Sequence, residues 1–241
     1  MKRTNDGGMY EMNEINRAHF ECLPSTQDYA KSRRGEGKDL IVTAGEQTGG
    51  KGTKGRAFVS SKGGVYLTRL KFYENFPARD AFLVMASAAV AVCETLREYG
   101  VTPMIKWAND VYVNDKKICG ILIENVFRGN EIASSLTGIG LNVCNRLPKE
   151  LSGIATTLEE ATGKIFDVEE VTTRLIKELS IPRTMQEYLS YVGYMGREAT
   201  LIFGDRSIHG TLLSVDEEGG LSVKTDEGVL RVTAAEVSVR F

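Results

Sequence analysis

The residues most suited to chemistry lie in one segment, KWANDVYVNDKKICGILIE, which runs from Lys106 to Glu124. Lys106 stands beside the chain's only tryptophan in an apolar stretch, and Lys117 begins the strand that returns. Lysine is costly to bury unless an opposite charge pairs with it. Asn109 and Asp110 follow the first stretch. Two lysines placed in this way predict an anionic ligand, although a lysine at a strand end can also extend its ammonium group into solvent.

A second candidate feature is the loop QTGGKGTKGR, residues 47–56, where four glycines alternate with Lys51, Lys54 and Arg56. Glycine lets the backbone approach a ligand and point successive N–H groups at it, and the cations add positive charge. The combination suits a phosphate or a carboxylate; the alternative is a flexible, solvated turn. The loop is neither a P-loop nor a dinucleotide-binding turn, because GxxxxGK[ST] and a GxGxxG between strand and helix are both absent.

Together, the lysine pair and the glycine-rich loop predict a site where a carboxylate meets a triphosphate. Fixed positive charge would offset the repulsion between the two anions and stabilise the transition state between them. The two histidines, His19 and His209, are far apart in the chain and show no metal-ligand spacing. The sequence therefore predicts no metal site built from protein ligands.

Secondary-structure patterns supply the elements that would position these residues. Strands are predicted over 39–47, 63–73, 104–108, 111–113, 117–126 and 136–143, with turns at 114–115 and 128–130. Helices are predicted over 78–99, capped by Gly100, and over 168–179 and 185–191. Residues 1–18 are polar and predicted to be frayed or partly ordered.

Composition and charge describe an ordinary globular protein of 241 residues, with 42% hydrophobic residues and a net charge of −2. The longest uncharged apolar run, residues 81–93, is too short to span a bilayer, and the N-terminus lacks an apolar signal core. The four cysteines form no CxxC pair, which favours reduced thiols in a cytoplasmic protein.

The residue pattern changes near residue 193. From there on, short segments of alternating apolar and polar residues predict the strands of a small β-barrel. We therefore predict two domains, residues 1–192 and 193–241. The second carries five basic and eight acidic residues, a net of −3, which makes it a poor platform for nucleic acid.

Four segments resemble those of biotin protein ligases. GGKGTKGR at 49–56 resembles their GRGRRGR loop, and residues 106–124 resemble their KWPND…KK.AGILIE segment. STQ at 25–27 and GIGLNV at 138–143 resemble their STN/STQ and GIGINV. The order of these segments and the spacing between them agree with the family pattern over residues 20–145. The segment from KWxND to GILIE is the specific signal, whereas the glycine loop alone is a weak one.

The resemblance implies an α/β (α+β) fold, with a mixed-sheet catalytic domain and a small SH3-like C-terminal barrel. It also implies an ATP-dependent ligase. Biotin's carboxylate would attack the α-phosphate of ATP, accompanied by Mg²⁺, and give biotinyl-5′-AMP. A lysine of a biotin carboxyl carrier domain of a biotin-dependent carboxylase would then attack this mixed anhydride. We expect a monomer or homodimer with no membrane partner.

The resemblance also assigns roles residue by residue. It places biotin among Ser25, Thr26, Gln27, Gln47, Gly50, Lys51, Gly52, Thr53, Lys117 and Gly120. It places ATP among Lys51, Arg56, Lys106, Asn109, Asn142 and Phe58, an aromatic able to stack on adenine. The catalytic candidates are Lys117, Lys106, Arg56 and Asp110. Among these, Asp110 would accept a proton from, or orient, the incoming lysine.

Some positions depart from the family pattern. Lys51 and Thr53 stand where arginine is common, and lysine cannot reproduce a bidentate guanidinium contact, so we expect looser retention of the adenylate. Ala108 replaces the usual proline. Some relatives carry an N-terminal winged-helix DNA-binding domain, but about two dozen residues precede STQ, so we expect no repressor role.

Two other functions stay open on the residues alone. A lipoate–protein ligase shares the fold and the acyl-adenylate chemistry, although GGKGTKGR and KWAND favour biotin. A nucleic-acid-binding module is disfavoured by the pI of 5.9 and by the acidic barrel.

Overall fold

A computed structural model describes residues 16–240, and predictions for residues 1–15 and 241 lie outside it. The strands are β1 (Asn16–Leu23), β2 (Leu40–Gln47), β3 (Gly64–Phe72), β4 (Met104–Lys106), β5 (Asp110–Val113), β6 (Lys116–Arg128), β7 (Glu131–Asn142), β8 (Glu198–Phe203), β9 (Arg206–Val215), β10 (Leu221–Thr225), β11 (Gly228–Val232) and β12 (Ser238–Arg240). The α-helices are α1 (Thr26–Ser32), α2 (Phe82–Glu98), α3 (Leu158–Thr162), α4 (Val168–Leu179) and α5 (Met185–Tyr191). Short 3₁₀ turns lie at Arg34–Glu36, Thr53–Gly55, Ala78–Asp80 and Lys149–Leu151.

Seven strands form one mixed sheet in the order β1-β2-β3-β7-β6-β5-β4. β1 and β2 are parallel, and the remaining neighbours are antiparallel. β3, β7 and β6 are antiparallel neighbours at the centre of the sheet, and this pairing brings the glycines of β6 and β7 together. Gly120 lies directly opposite Gly140 in the register, which leaves one face of the sheet without side chains at this point.

The two faces of this sheet are covered by different helices. Successive side chains of a strand point to opposite faces. On β2, Ile41 therefore joins the main core beneath the Ala-rich helix α2, while Val42 packs with Ala30 of α1. Helices α4 and α5 lie against α2. The face under α1 carries only this small cluster, which leaves room for a cleft beside the helix.

Five strands form a second, antiparallel sheet in the order β11-β10-β9-β8-β12. Trp107 connects the two sheets. Its Nε1–H donates to the carbonyl of Gly219, between β9 and β10 of the second sheet, over 3.0 Å. Phe82 packs where a side chain at Gly219 would stand. The hydroxyl of Tyr194 donates to Asp115 in the β5–β6 turn over 3.2 Å. Trp107, the residue after Lys106, therefore helps to position the second sheet beside the first.

The predicted α+β class, a mixed sheet followed by a small β-domain, is confirmed. Helices α4 and α5 begin and end at the predicted residues. The helix predicted over 78–99 is shorter, because a 3₁₀ turn behind Pro77 occupies its first residues. Gly100 follows it in the left-handed region at φ 82°, as a helix-terminating glycine does.

Two elements near the N-terminus were not predicted. Residues 16–18, predicted to be frayed or partly ordered, begin β1, and an exposed edge strand of this kind shows little apolar alternation. Helix α1 was also missed, although Ser25 caps it by accepting the N–H of Asp28. None of the helices in residues 16–240 combines the length and apolar character that crossing a membrane requires.

Candidate active site

A cleft opens over the centre of the first sheet, between α1 and the glycine-rich loop. The residues that line it are Ser25, Thr26, Gln27, Gln47, Lys51, Gly52, Thr53, Phe58, Leu67, Thr68, Asn109, Asp110, Lys117, Gly120, Ile121, Leu122, Gly138, Ile139 and Gly140. They come from α1, the loop and strands β2, β3, β5, β6 and β7. The cleft is therefore assembled from distant segments that meet only because the sheet brings their strands together.

Glycines form the floor of the cleft because neighbouring side chains occupy the space above them. A Cβ at Gly140 would stand 2.4 Å from Cε1 of Phe58, and one at Gly120 would stand 3.1 Å from the ammonium nitrogen of Lys117. A Cβ at Gly138 would stand 2.5 Å from Oε1 of Gln27. The contacts at Gly140 and Gly138 are closer than side chains tolerate, and the one at Gly120 would force Lys117 to shift, so the bare floor accommodates the Phe58 ring and the two polar groups.

The glycine-rich loop is folded as a hydrogen-bonded hairpin. Its base is the bond from the Gln47 N–H to the Ser60 carbonyl, 2.9 Å, and the Phe58 N–H donates to the Gly50 carbonyl over 2.9 Å. Nearer the tip, the Gly52 N–H donates to the Arg56 carbonyl over 2.7 Å. The loop is therefore held by its own series of backbone hydrogen bonds.

Two lysine side chains tie this hairpin to its surroundings. The ammonium of Lys51 lies 2.6 Å from the carboxylate of Asp28 on α1. On the other side, Lys54 donates to the hydroxyl of Ser238 on β12 over 3.2 Å. The loop therefore bridges the first helix and the second sheet across the mouth of the cleft.

One end of the cleft carries neutral hydrogen-bonding groups. The backbone N–H of Thr26 donates to Oε1 of Gln47 over 2.8 Å, and the Thr26 hydroxyl lies 3.1 Å from the same oxygen. Thr68, fully buried on β3, lies 2.9 Å from the Thr26 hydroxyl and donates to Gln27 over 3.3 Å. Gln27 in turn donates to Glu124 over 3.2 Å. This end can bind an uncharged polar group such as an amide or a urea.

The other end of the cleft is cationic. Nζ of Lys117 lies 2.7 Å from Oδ1 of Asp110, and both side chains are about two-thirds buried. Asn109 is held by a bond from its amide to the Ile121 carbonyl, 2.9 Å. This end can therefore bind an anion at Lys117, beside a carboxylate that is already paired.

Lys106 lies just behind this cationic end. Its ammonium lies 5.3 Å above the ring of Tyr112, whose own pKa is raised to about 12 by burial. Burial is the main cause that lowers the pKa of Lys106, while Asp110 raises it. Repulsion from three cations, Lys117, Arg240 and Arg56, lowers it further. Positive side chains from both sheets therefore converge on one region.

The structure brings most of the predicted site residues together and leaves four outside the lining of the cleft: Gly50, Arg56, Lys106 and Asn142. The backbone of Gly50 forms one of the hydrogen bonds of the hairpin, and Arg56 lies close enough to Lys106 to lower the pKa of that lysine. The amide of Asn142 donates to the Thr156 carbonyl and accepts from Asn145, so it holds two loops together.

Sequence reasoning missed several residues of the site. Thr68 looked like one polar position in an alternating strand, and its contact with α1 depends on a helix that was not predicted. Arg240 and Ser238 belong to β12, far from the motifs in the chain. The glycines at 138 and 140 were visible as part of GIGLNV, and their spacing of two residues on a strand was the available signal of a bare face.

Known proteins share this arrangement of fold and cleft. The biotin/lipoate A/B protein ligase family matches residues 19–142, and the biotin protein ligase C terminal domain matches residues 194–240. The chain is 30% identical to the bifunctional ligase/repressor BirA of Escherichia coli over 92% of this chain and 74% of that protein. It is 29% identical to the BirA of Bacillus subtilis, over 92% of this chain and 73% of that protein.

A solved structure is similar over nearly the whole chain. The biotin protein ligase from Aquifex aeolicus in complex with biotin and ATP superposes with a TM-score of 0.75, at 30% identity, over 93% of this chain and 98% of that chain. The fold and the family matches thus define an enzyme of the biotin ligase class. This chain belongs to the biotin/lipoate A/B protein ligase family.

Proposed function

We propose that this protein is a biotin–protein ligase. It would join biotin to ATP as biotinyl-5′-AMP and then transfer the biotinyl group to a lysine of a biotin carboxyl carrier domain. The observation that supports this most strongly is the polarity of the cleft, which is neutral around Gln47 and Thr26 and cationic around Lys117. Biotin has the same polarity, since an uncharged urea stands at one end of the molecule and a carboxylate at the other.

In the first step, Lys117 would lie between the two anions that must meet. A carboxylate oxygen of biotin forms a bond to the α-phosphorus of ATP as the bond from that phosphorus to the bridging oxygen breaks, and pyrophosphate leaves. The ammonium of Lys117 would stabilise the negative charge that develops on the phosphoryl oxygens. Asp110, 2.7 Å away, holds this ammonium in place through the ion pair.

In the second step, the amine of the carrier lysine attacks the acyl carbon, and AMP leaves. Free lysine has a pKa of about 10.4, so it arrives protonated and must lose a proton before it can attack. Asp110 lines the cleft beside Lys117, and we assign it the role of orienting the incoming ammonium group and accepting this proton.

The nucleotide would occupy the cationic end of the cleft. Phe58 lies on the glycine floor, where its ring offers a face to adenine, and Lys106 and Arg56 add positive charge near the phosphates. Mg²⁺ would enter with ATP as part of the substrate. We also propose a domain boundary between residues 192 and 193, since β8 begins at Glu198 and the C-terminal family match begins at 194.

Partner and compartment follow from the same chemistry. The acceptor would be a carrier domain of a biotin-dependent carboxylase, and the protein would act as a monomer or homodimer without nucleic acid or membrane. The cysteines of the described chain are free thiols, which supports a reducing compartment, the cytoplasm.

The decisive experiment is exchange of labelled pyrophosphate into ATP by the purified protein with Mg²⁺. We expect exchange that depends on added biotin, followed by transfer to a purified carrier domain. Lipoate provides the comparison, because a lipoate ligase would perform the same exchange with that acid. Exchange with lipoate and none with biotin would overturn the assignment.

A further inference from the structure

Ser60 lies behind the neutral end of the cleft and contacts two residues of the proposed site. It is 5% exposed and does not line the cleft. Its hydroxyl lies 2.9 Å from Nε2 of Gln47 and 3.0 Å from the carbonyl of Phe58. Ser60 therefore connects the glutamine at the neutral end with the backbone of Phe58 in the hairpin.

The directions of these bonds determine how the Gln47 amide is oriented. A hydroxyl has one hydrogen to donate, and a carbonyl can only accept. The Ser60 hydroxyl donates to Phe58, so it can only accept from Gln47, and the amide nitrogen must face Ser60. At the other end of the amide, the backbone N–H of Thr26 can only donate, so the amide oxygen must face Thr26.

The backbone of Gly50 packs against the atoms that form this group of contacts. A Cβ at Gly50 would stand 2.5 Å from the Ser60 hydroxyl and 2.4 Å from the Phe58 carbonyl. The loop backbone therefore packs directly on the two bonded atoms. A hydrogen bond to a group as buried as the Ser60 hydroxyl costs more to leave unmade than it contributes when present.

We propose that Ser60 is a positioning residue for the acid substrate, which acts through Gln47. By holding the amide in one orientation, it would present a fixed pattern of donor and acceptor to the urea of biotin. The inference rests on the proposed function, since it names what aligns the residue that receives the urea. It assigns Ser60 no contact with the reacting atoms.

The first test is a comparison of single variants in biotin-dependent pyrophosphate exchange. We expect Ser60→Ala to raise KM for biotin about tenfold, the size of one lost buried hydrogen bond, and to leave kcat within about twofold. Ser60→Thr keeps the hydroxyl and should restore KM to within about twofold. Ser61→Ala is the matched control, because the neighbouring serine donates to the Arg146 carbonyl outside this group.

The second test asks whether Ser60 acts through Gln47. Biotin affinity is measured by calorimetry for Ser60→Ala, Gln47→Ala and the double variant. If the mechanism holds, Ser60→Ala costs nothing further once Gln47 is alanine. Losses that multiply in the double variant would overturn it. If Ser60→Ala does not fold, Ser60→Cys, a weaker hydrogen-bonding group, replaces it under the same criteria.

The two proposals fail in different ways. An active wild-type protein whose Ser60→Ala variant binds biotin normally refutes the positioning role alone. A wild-type protein with no biotin-dependent exchange refutes the proposed function, and the role of Ser60 falls with it.

Discussion

Lys117 and Asp110 form an ion pair across neighbouring strands, with Nζ 2.7 Å from Oδ1. The register of β5 and β6 brings the pair together. Asp110 lies opposite Gly120 on β6. A bulge between Val111 and Tyr112 then shifts which residues of β5 lie opposite the part of β6 that contains Lys117. The two residues that we assign to different steps of the reaction therefore hold each other in place. A change at either one must be tested in both steps.

Lys117→Ala should abolish most adenylate formation in a protein that still folds. The side chain reaches into the cleft rather than the core, so its removal leaves no core cavity. Loss of one preorganised positive group at a developing anion costs about 10²–10³ in rate. Pyrophosphate exchange measures the loss, with Lys116→Ala, the adjacent lysine outside the cleft lining, as control. Normal exchange by a folded variant would remove Lys117 from the mechanism.

Asp110→Asn should slow transfer to the carrier more than it slows adenylation. An amide can still accept from Lys117 but cannot take the proton of the incoming lysine, and general-base help is worth roughly 10²–10⁴. Adenylation should fall only a few-fold, through the weakened ion pair. Single-turnover transfer from preformed biotinyl-AMP separates the steps. Asp115→Asn, the same change at a residue bonded to Tyr194, is the control. A defect confined to adenylation would contradict the assigned role.

Sequence reasoning located the cationic end of the site better than the neutral end. Lys117, Asp110 and Asn109 follow one another closely along the chain, so their clustering was predictable from adjacent strands. Thr68 and Ser60 carry no motif and become part of the site only through contacts with α1 and β2. The sequence shows the type of a residue, but the register of a sheet decides which polar side chains face one another.

The glycine-rich loop shows a second limit of the same reasoning. Its four glycines and three cations predict a loop that binds a phosphate or a carboxylate, but they do not show which residues the cations contact within the protein. In the structure Lys51 pairs with Asp28 and Lys54 with Ser238, so two of the three cations are directed at the protein itself. Neither partner could be inferred from the loop sequence, since one belongs to an unpredicted helix and the other to the last strand.

Asp28→Asn should speed the release of bound biotinyl-AMP. The Lys51–Asp28 pair crosses the mouth of the cleft, but both side chains are about half exposed, and such pairs contribute at most about 1 kcal/mol. We therefore expect release to rise no more than about fivefold at low salt, and the difference to shrink as salt screens the pair. A chase with unlabelled biotin and ATP measures release.

The matched control for this pair is Glu36→Gln, which breaks the exposed pair of Glu36 with Arg33 just beyond α1. Reversing both charges, with Asp28→Lys and Lys51→Asp together, should return release toward the wild-type rate. If release is the same for Asp28→Asn and the wild type at low salt, the pair does not retain the adenylate.

Arg240→Gln should shift the alkaline limit of adenylation to higher pH. The pKa of Lys106 is lowered by burial and further by Arg240, so in the wild type this lysine loses its charge at a lower pH than an ordinary lysine. If its positive charge holds the phosphates, activity falls as pH rises through that lowered pKa. Removing Arg240 removes one repelling cation, so the pKa of Lys106 rises and its charge persists to higher pH.

The same variant should also raise KM for ATP, because one cation near the phosphates is lost. The rate of pyrophosphate exchange across the neutral and alkaline range checks the shift. Lys106→Arg tests whether Lys106 causes the fall in activity at alkaline pH. Arginine stays charged throughout this range, so the fall should disappear. Arg206→Gln, an exposed change at the start of β9 in the same sheet, should leave the profile unchanged. If the fall in activity at alkaline pH stays in place in Arg240→Gln but disappears in Lys106→Arg, Arg240 does not influence the lysine.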